Sequence, residues 1–139
     1  MEKDQILGLC NAICKNTLME TLSIEFVDVG ENFLTARMPV TSKVYQPDGV
    51  LHGGATAALA ETVGSSAVQV LNQNPNLIVR GIEITANHLK SIREGFVYAR
   101  AQCIHPGRTI QLWEIKVTDE DQNLISLCKL TTYSREKKK

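Results

Sequence analysis

No stretch of this 139-residue chain reaches the roughly 18 consecutive apolar residues that a membrane-crossing helix needs. The first residues, MEKDQ, are not those of a secretory leader, so a cytoplasmic location and no membrane partner are the default expectations. Excess charge is missing too. Fifteen Lys and Arg balance fifteen Asp and Glu, which gives no indication of general binding to nucleic acid or an anionic surface. The basic tail, residues 135–139, is short, contains one glutamate and reads as a solvated, frayed end. The four cysteines are Cys10, Cys14, Cys103 and Cys128; the first two share a helical face, but no histidine or further cysteine nearby completes a zinc set. Buried reduced thiols are expected. HExxH and any close carboxylate–histidine set are absent, so no metal cofactor is expected. GxSxG and the glycine spacings of Rossmann and P-loop proteins are absent as well, which disfavours a serine or nucleotide-dependent enzyme.

What is present is ordinary globular composition, 43% hydrophobic and 22% charged, at a length that suits one domain over residues 1–139. Residues 4–15 carry Ile6, Leu9, Cys10 and Ile13 at helical spacing. Leu22, Ile24 and Phe26 alternate with polar residues, GEN turns the chain, and 33–40 forms a second strand. Residues 41–51 are irregular, with Pro47, Asp48 and Gly49 as turn formers. From Gly53 to about Leu71 a run of alanine, valine and leucine without proline is too long for a strand and predicts the central helix, which NQNPN ends. Four strand-like runs follow, over 77–89, 96–104, 109–118 and 124–133, the last three as a meander. The order predicts an α+β fold, a largely antiparallel sheet with one long helix on a face. Small residues around that helix require close approach on more than one side. One sheet covers only one face, so at least a dimer is expected.

The chemistry concentrates in QPDGVLHGGATAALAETVGSS, residues 46–66. Gly53 and Gly54 open the helix, where unpartnered amides carry partial positive charge and a ligand oxygen can come close. Such a tip suits a phosphate, or a carbonyl gaining negative charge during attack. Glu61 has Ala57, Ala58, Gly64 and Ser65 at its helical neighbour positions, so no intrahelical cation explains the carboxylate. It is either a general base or nucleophile, or a glutamate on an exposed stripe or paired with an arginine of the sheet. Ser65 either orients a water beside Glu61 or bonds back to its own helix. Gln46 can donate to an acyl oxygen without carrying charge, and His52 either meets a thioester or caps and holds the loop. His88 is a candidate pocket wall, with a structural role equally open; His105 reads as a turn residue. Gly53 and Glu61 lie eight residues apart, about 12 Å along a helix. If both serve one carbonyl, they come from different copies of the chain.

HGGATAALAETVGS, preceded by QPDGVL and followed by ITANHLKSIREG, resembles the hotdog-fold acyl-CoA thioesterases of the phenylacetate-type family over nearly the whole chain. It is most similar to the branch that includes 1,4-dihydroxy-2-naphthoyl-CoA hydrolases of menaquinone synthesis and enterobactin-pathway proofreading thioesterases. The resemblance implies a curved antiparallel sheet wrapped around the long helix. It also implies hydrolysis of an acyl-CoA, with an aromatic acyl group, at sites shared within a homodimer and often a dimer of dimers. By the same match the Gly53 amide polarises the carbonyl, Glu61 of the neighbouring subunit attacks it or activates water, and Gln46 aligns the acyl carbonyl. His52 supports that site, Ser65 assists the water, and His88 lies near the acyl group. Val68, with Phe26, Phe33 and Leu71, is a candidate for the acyl pocket. Lys90, Ser91, Arg93 and Arg108 are candidates for gripping the coenzyme phosphates, CoA being part of the substrate and not a resident cofactor. Two competing readings remain at this stage: a hydratase or dehydratase on the same fold, and a non-catalytic acyl-CoA-binding dimer.

Overall fold

The computed structural model describes residues 1–138; Lys139, the end of the basic tail, lies outside them. Two short helices, α1 (Lys3–Ala12) and α2 (Leu18–Thr21), open the chain. Strands β1 (Glu25–Val29) and β2 (Phe33–Pro39) form a hairpin, and a 3-10 turn at Ser42–Val44 leads through a loop to helix α3 (Gly53–Asn72). Strands β3 (Leu77–His88), β4 (Phe96–Pro106), β5 (Ile110–Thr118) and β6 (Leu124–Glu136) follow. All six join one sheet in the order β1-β2-β4-β5-β6-β3, with every neighbouring pair antiparallel. The sheet curves round α3, which lies against β2, β3, β4, β5 and β6. This is the α+β hotdog architecture. Among the described residues no helix is long and apolar enough to cross a membrane.

Helix α3 is held by one stripe. Thr56, Leu59, Ala60, Val63, Gly64, Ala67 and Val68 are its buried residues, recurring every three or four positions. They meet Leu34, Ala36, Met38, Val97, Ala99, Ile115 and Leu130 on the inner face of the sheet, all without solvent exposure. Alternating burial along β2 and β4 puts those side chains on one face. Gly64 sets the closest approach: a Cβ there would stand 2.6 Å from Leu130 Cδ2. The helix stops at Gln73, a left-handed residue at φ 55°, followed by Asn74 and Pro75.

Three local expectations are corrected. Leu22 does not begin a strand: Thr17 accepts the Met19 amide to cap α2, and Ser23 at φ 57° turns the chain before Glu25. The tail does not fray before Glu136, because β3 begins at Leu77 and its backbone needs a partner. Arg135 pairs with Ile78, Glu136 with Leu77, and the Lys137 amide donates to Asn76. His105 sits within β4 at a bulge after Cys103 rather than in the turn itself.

Candidate active site

A cleft of about 300 Å³ opens at the N-terminal end of α3. Gln46, Leu51, Gly53, His88, Lys90 and Ser126 are among its lining residues. Its walls are stitched together by backbone bonds: His52 N–H donates to Val44, Leu51 N–H to Ile92, and Leu89 N–H to Ile125. Tyr45 Oη donates to the Arg93 carbonyl, tying the loop before α3 to the segment after β3. Three polar groups converge here, Gln46 and His52 from the loop before α3 and His88 from β3. His52 is the N-cap of α3, its Nδ1 accepting the Gly54 amide at 2.8 Å. That occupies one of the exposed helix-tip donors, whereas the Gly53 amide has no acceptor among the described residues. His88, the last residue of β3, lies over Gly53 so closely that a Cβ on the glycine would stand 2.7 Å from Nε2. The His88 Nδ1 is 2.8 Å from Ser126 Oγ. Gln46 Oε1 accepts the Asp48 amide, which leaves its NH2 group as the donor offered to the cleft. An unclaimed amide at a positive helix tip, beneath an imidazole, suits an oxygen that gains negative charge.

Glu61 stands apart from this cleft. Because α3 is unbroken, its carboxylate lies two turns along, about 12 Å from Gly53 by helical rise. It is exposed and, among the described residues, makes no hydrogen bond or ion pair, so no arginine of the sheet explains it. Its position has a steric cause instead. Gly81 of β3 faces it, and a Cβ there would come 2.8 Å from Glu61 Oε2 and 3.1 Å from Leu130 Cδ1. The β3–β6 ladder slips between Gly81 and Glu83, where the extra residue bends the edge strand. Ala57, Ala58 and Ser65 surround Glu61 on a half-exposed face of α3 that the sheet leaves open.

Comparison with known proteins gives this geometry its family. Residues 48–126, more than half of the chain, match the model of the thioesterase superfamily. The chain belongs to that family. It is 43% identical over 122 residues to a 1,4-dihydroxy-2-naphthoyl-CoA hydrolase of Listeria monocytogenes, covering 88% of this chain and 98% of that one. It is 40% identical over 131 residues to the proofreading thioesterase EntH of Cronobacter turicensis, covering 94% and 95%. A crystal structure of a Haemophilus influenzae thioesterase superposes with a TM-score of 0.90 at 41% identity, covering 94% of this chain and 90% of that one. The protein is a hotdog-fold thioesterase.

Of the residues singled out in the sequence, this thioesterase brings Gln46, Gly53, His88, Lys90 and Ser91 to one cleft, with His52 capping the helix behind it. Arg93 is exposed on the same segment, held through its carbonyl. Glu61 and Ser65 lie farther along α3 and do not reach that cleft within one chain. Val68 is buried, 2% exposed, and borders a separate cavity of about 200 Å³ with Leu71, Cys103 and Trp113. Phe26 is core, and Phe33 lies under the Arg100 guanidinium at 3.8 Å. Arg108 lines another cleft with Asn72 and Tyr133, at the end of the sheet where β6 finishes. Lys90 bonds where β6 starts, roughly 30 Å away along that strand. Ser126 and Gly81 were not apparent in the sequence. Their signal is a cross-strand register and a missing Cβ, which only the folded sheet reveals.

Proposed function

We propose that this enzyme is a CoA-thioester hydrolase for an aromatic acyl group, of the 1,4-dihydroxy-2-naphthoyl or hydroxybenzoyl kind, working as a homodimer with shared sites. The observation that carries the reading is the free Gly53 amide at the tip of α3, under His88, with Glu61 out of reach on an open face of the same helix. The acyl carbonyl accepts from Gly53, aligned by the Gln46 amide, and His52 holds the helix start. Glu61 of a second copy attacks the carbonyl carbon or takes a proton from the attacking water, with Ser65 beside it. A C–O bond forms, the C–S bond breaks, and the departing thiolate takes up a proton to become CoA; where Glu61 is the nucleophile, water then opens the acyl–Glu61 anhydride, releasing the acid and restoring the carboxylate. Lys90, Ser91 and Arg93 meet the coenzyme phosphates; Arg108 joins them only from a neighbouring copy. Val68 and Leu71, with Trp113, supply apolar surface for the acyl group from the second copy, since Val68 lies about 22 Å along α3 from Gly53 of its own chain.

The name of the Listeria relative supports the aromatic acyl class. The small-residue face of α3 around Glu61, and an outer strand β3 that exposes Ile82 at 57%, support pairing of two copies. Pairs assemble further into a dimer of dimers. The test is thiol release from a panel of aromatic and aliphatic CoA esters, with wild type and Glu61→Gln side by side. Aromatic esters turn over fastest and Glu61→Gln loses orders of magnitude while remaining folded. A preference for long aliphatic esters would overturn the acyl assignment, and release by Glu61→Gln at the wild-type rate would overturn the mechanism.

A further inference from the structure

We propose that Ser126 is a positioning residue that fixes the tautomer of His88, so that the imidazole presents an Nε2–H donor to the acyl carbonyl at the tip of α3. The carbonyl assignment rests on the thioester-hydrolysis reading of the cleft. His88 and Ser126 are direct cross-strand partners at the end of the β3–β6 ladder, so their side chains share a face. Ser126 has no solvent exposure and is also paired with Val117 of β5, so its strand is held on both sides. Its Oγ is 2.8 Å from His88 Nδ1 and has no other partner among the described residues.

A buried hydroxyl has one hydrogen to place. If Nδ1 carried the imidazole proton, it would donate to Oγ and leave the hydroxyl hydrogen without an acceptor. With Nδ1 bare, the hydroxyl donates to it and only acceptor capacity on Oγ goes unused. An unmatched buried donor is the costlier state. The neutral ring therefore keeps its proton on Nε2, the nitrogen that faces Gly53. Two donors, Nε2–H and the free Gly53 amide, then border one cleft and favour an acceptor such as a carbonyl oxygen becoming an oxyanion. The opposite tautomer would turn a lone pair toward that oxygen.

The tautomer is read directly by long-range 1H–15N correlation on the full chain at about pH 8.5, where an ordinary histidine is neutral. His88→Gln assigns the signals among the three histidines. The wild type shows Nε2–H, and Ser126→Ala shows a mixture. Ser126→Thr, which keeps the hydroxyl, restores the single form. With a hydrolysed CoA ester, Ser126→Ala lowers kcat about tenfold with KM little changed, and has no further effect in a His88→Gln background. An Nδ1–H ring in the wild type, or an equal loss in both backgrounds, overturns the role. If the wild type hydrolyses no CoA ester, the thioester reading fails while the spectra still decide the tautomer.

Discussion

Adding a single methyl group at Gly53 tests the cleft at its narrowest point. The glycine is not needed for backbone reasons, since its φ lies outside the left-handed region and alanine adopts the same geometry. The new Cβ would meet His88 Nε2 at 2.7 Å and Cδ2 at 2.8 Å, against an ordinary separation of about 3.5 Å. The ring must shift by about 0.8 Å, which disturbs its 2.8 Å bond to Ser126 on the other side. Misplacement of about 1 Å costs about 100-fold, and loss of an oxyanion donor about 100- to 1,000-fold in kcat. Folding is nearly untouched. Disturbing that bond removes at most about 1 kcal/mol, while alanine for glycine returns about 0.4–1 kcal/mol through the unfolded chain. Gly53→Ala therefore lowers kcat at least about 100-fold, with Tm within a few degrees of wild type, measured by thioester cleavage and thermal melting. A variant within about threefold of the wild-type kcat would refute the assignment of Gly53 and His88 to the carbonyl.

Three further outcomes are expected. Gly81→Ala places a methyl group 2.8 Å from Glu61 Oε2, displaces the carboxylate and lowers kcat about 10- to 100-fold with KM little changed; an unaltered kcat shows that Glu61 tolerates the shift. Replacing Lys90 and Arg93 by alanine raises KM for the CoA ester about tenfold more than for a truncated pantetheine ester, and equal effects remove both from phosphate binding. Burial pushes the Cys128 thiol up to about 11, so at pH 9 about one per cent is thiolate, whereas about half is ionised in the unfolded chain. The unfolded state binds fewer protons between about pH 9 and 11, so stability is full below that window and falls as pH rises through it. Iodoacetamide labelling of Cys128 at pH 9 should follow global unfolding, and fast labelling of the native protein would contradict its burial.

Much of the architecture was legible because local signals agreed. The proline-free alanine and valine run predicts α3 over 53–71, against the observed Gly53–Asn72, and turn clusters separate the β4, β5 and β6 runs. What failed depended on a distant partner in one case and on a local cap in the other. The tail from Arg135 looks solvated by composition, yet Arg135 and Glu136 pair with the first residues of β3. Leu22 fits a strand by alternation, but a Thr17 cap and the left-handed Ser23 take precedence. The candidate site divides in the same way. Gly53, Gln46 and His52 lie in one sequence segment and fall together in space. His88 was readable as a pocket wall, but its partner Ser126 lies 38 positions away and is fixed by register alone. Val68 has the character of both core and pocket, and sequence cannot separate the two.

The shared site between two copies is tested most directly by mixing Gly53→Ala and Glu61→Gln chains after dissociation and allowing them to reassociate. Each parent alone has little activity. Random pairing makes half the dimers mixed, and each mixed dimer regains one intact site of two, so activity returns to about one quarter of wild type. A mixture no more active than its parents would contradict the claim that Gly53 of one chain and Glu61 of another act on the same thioester.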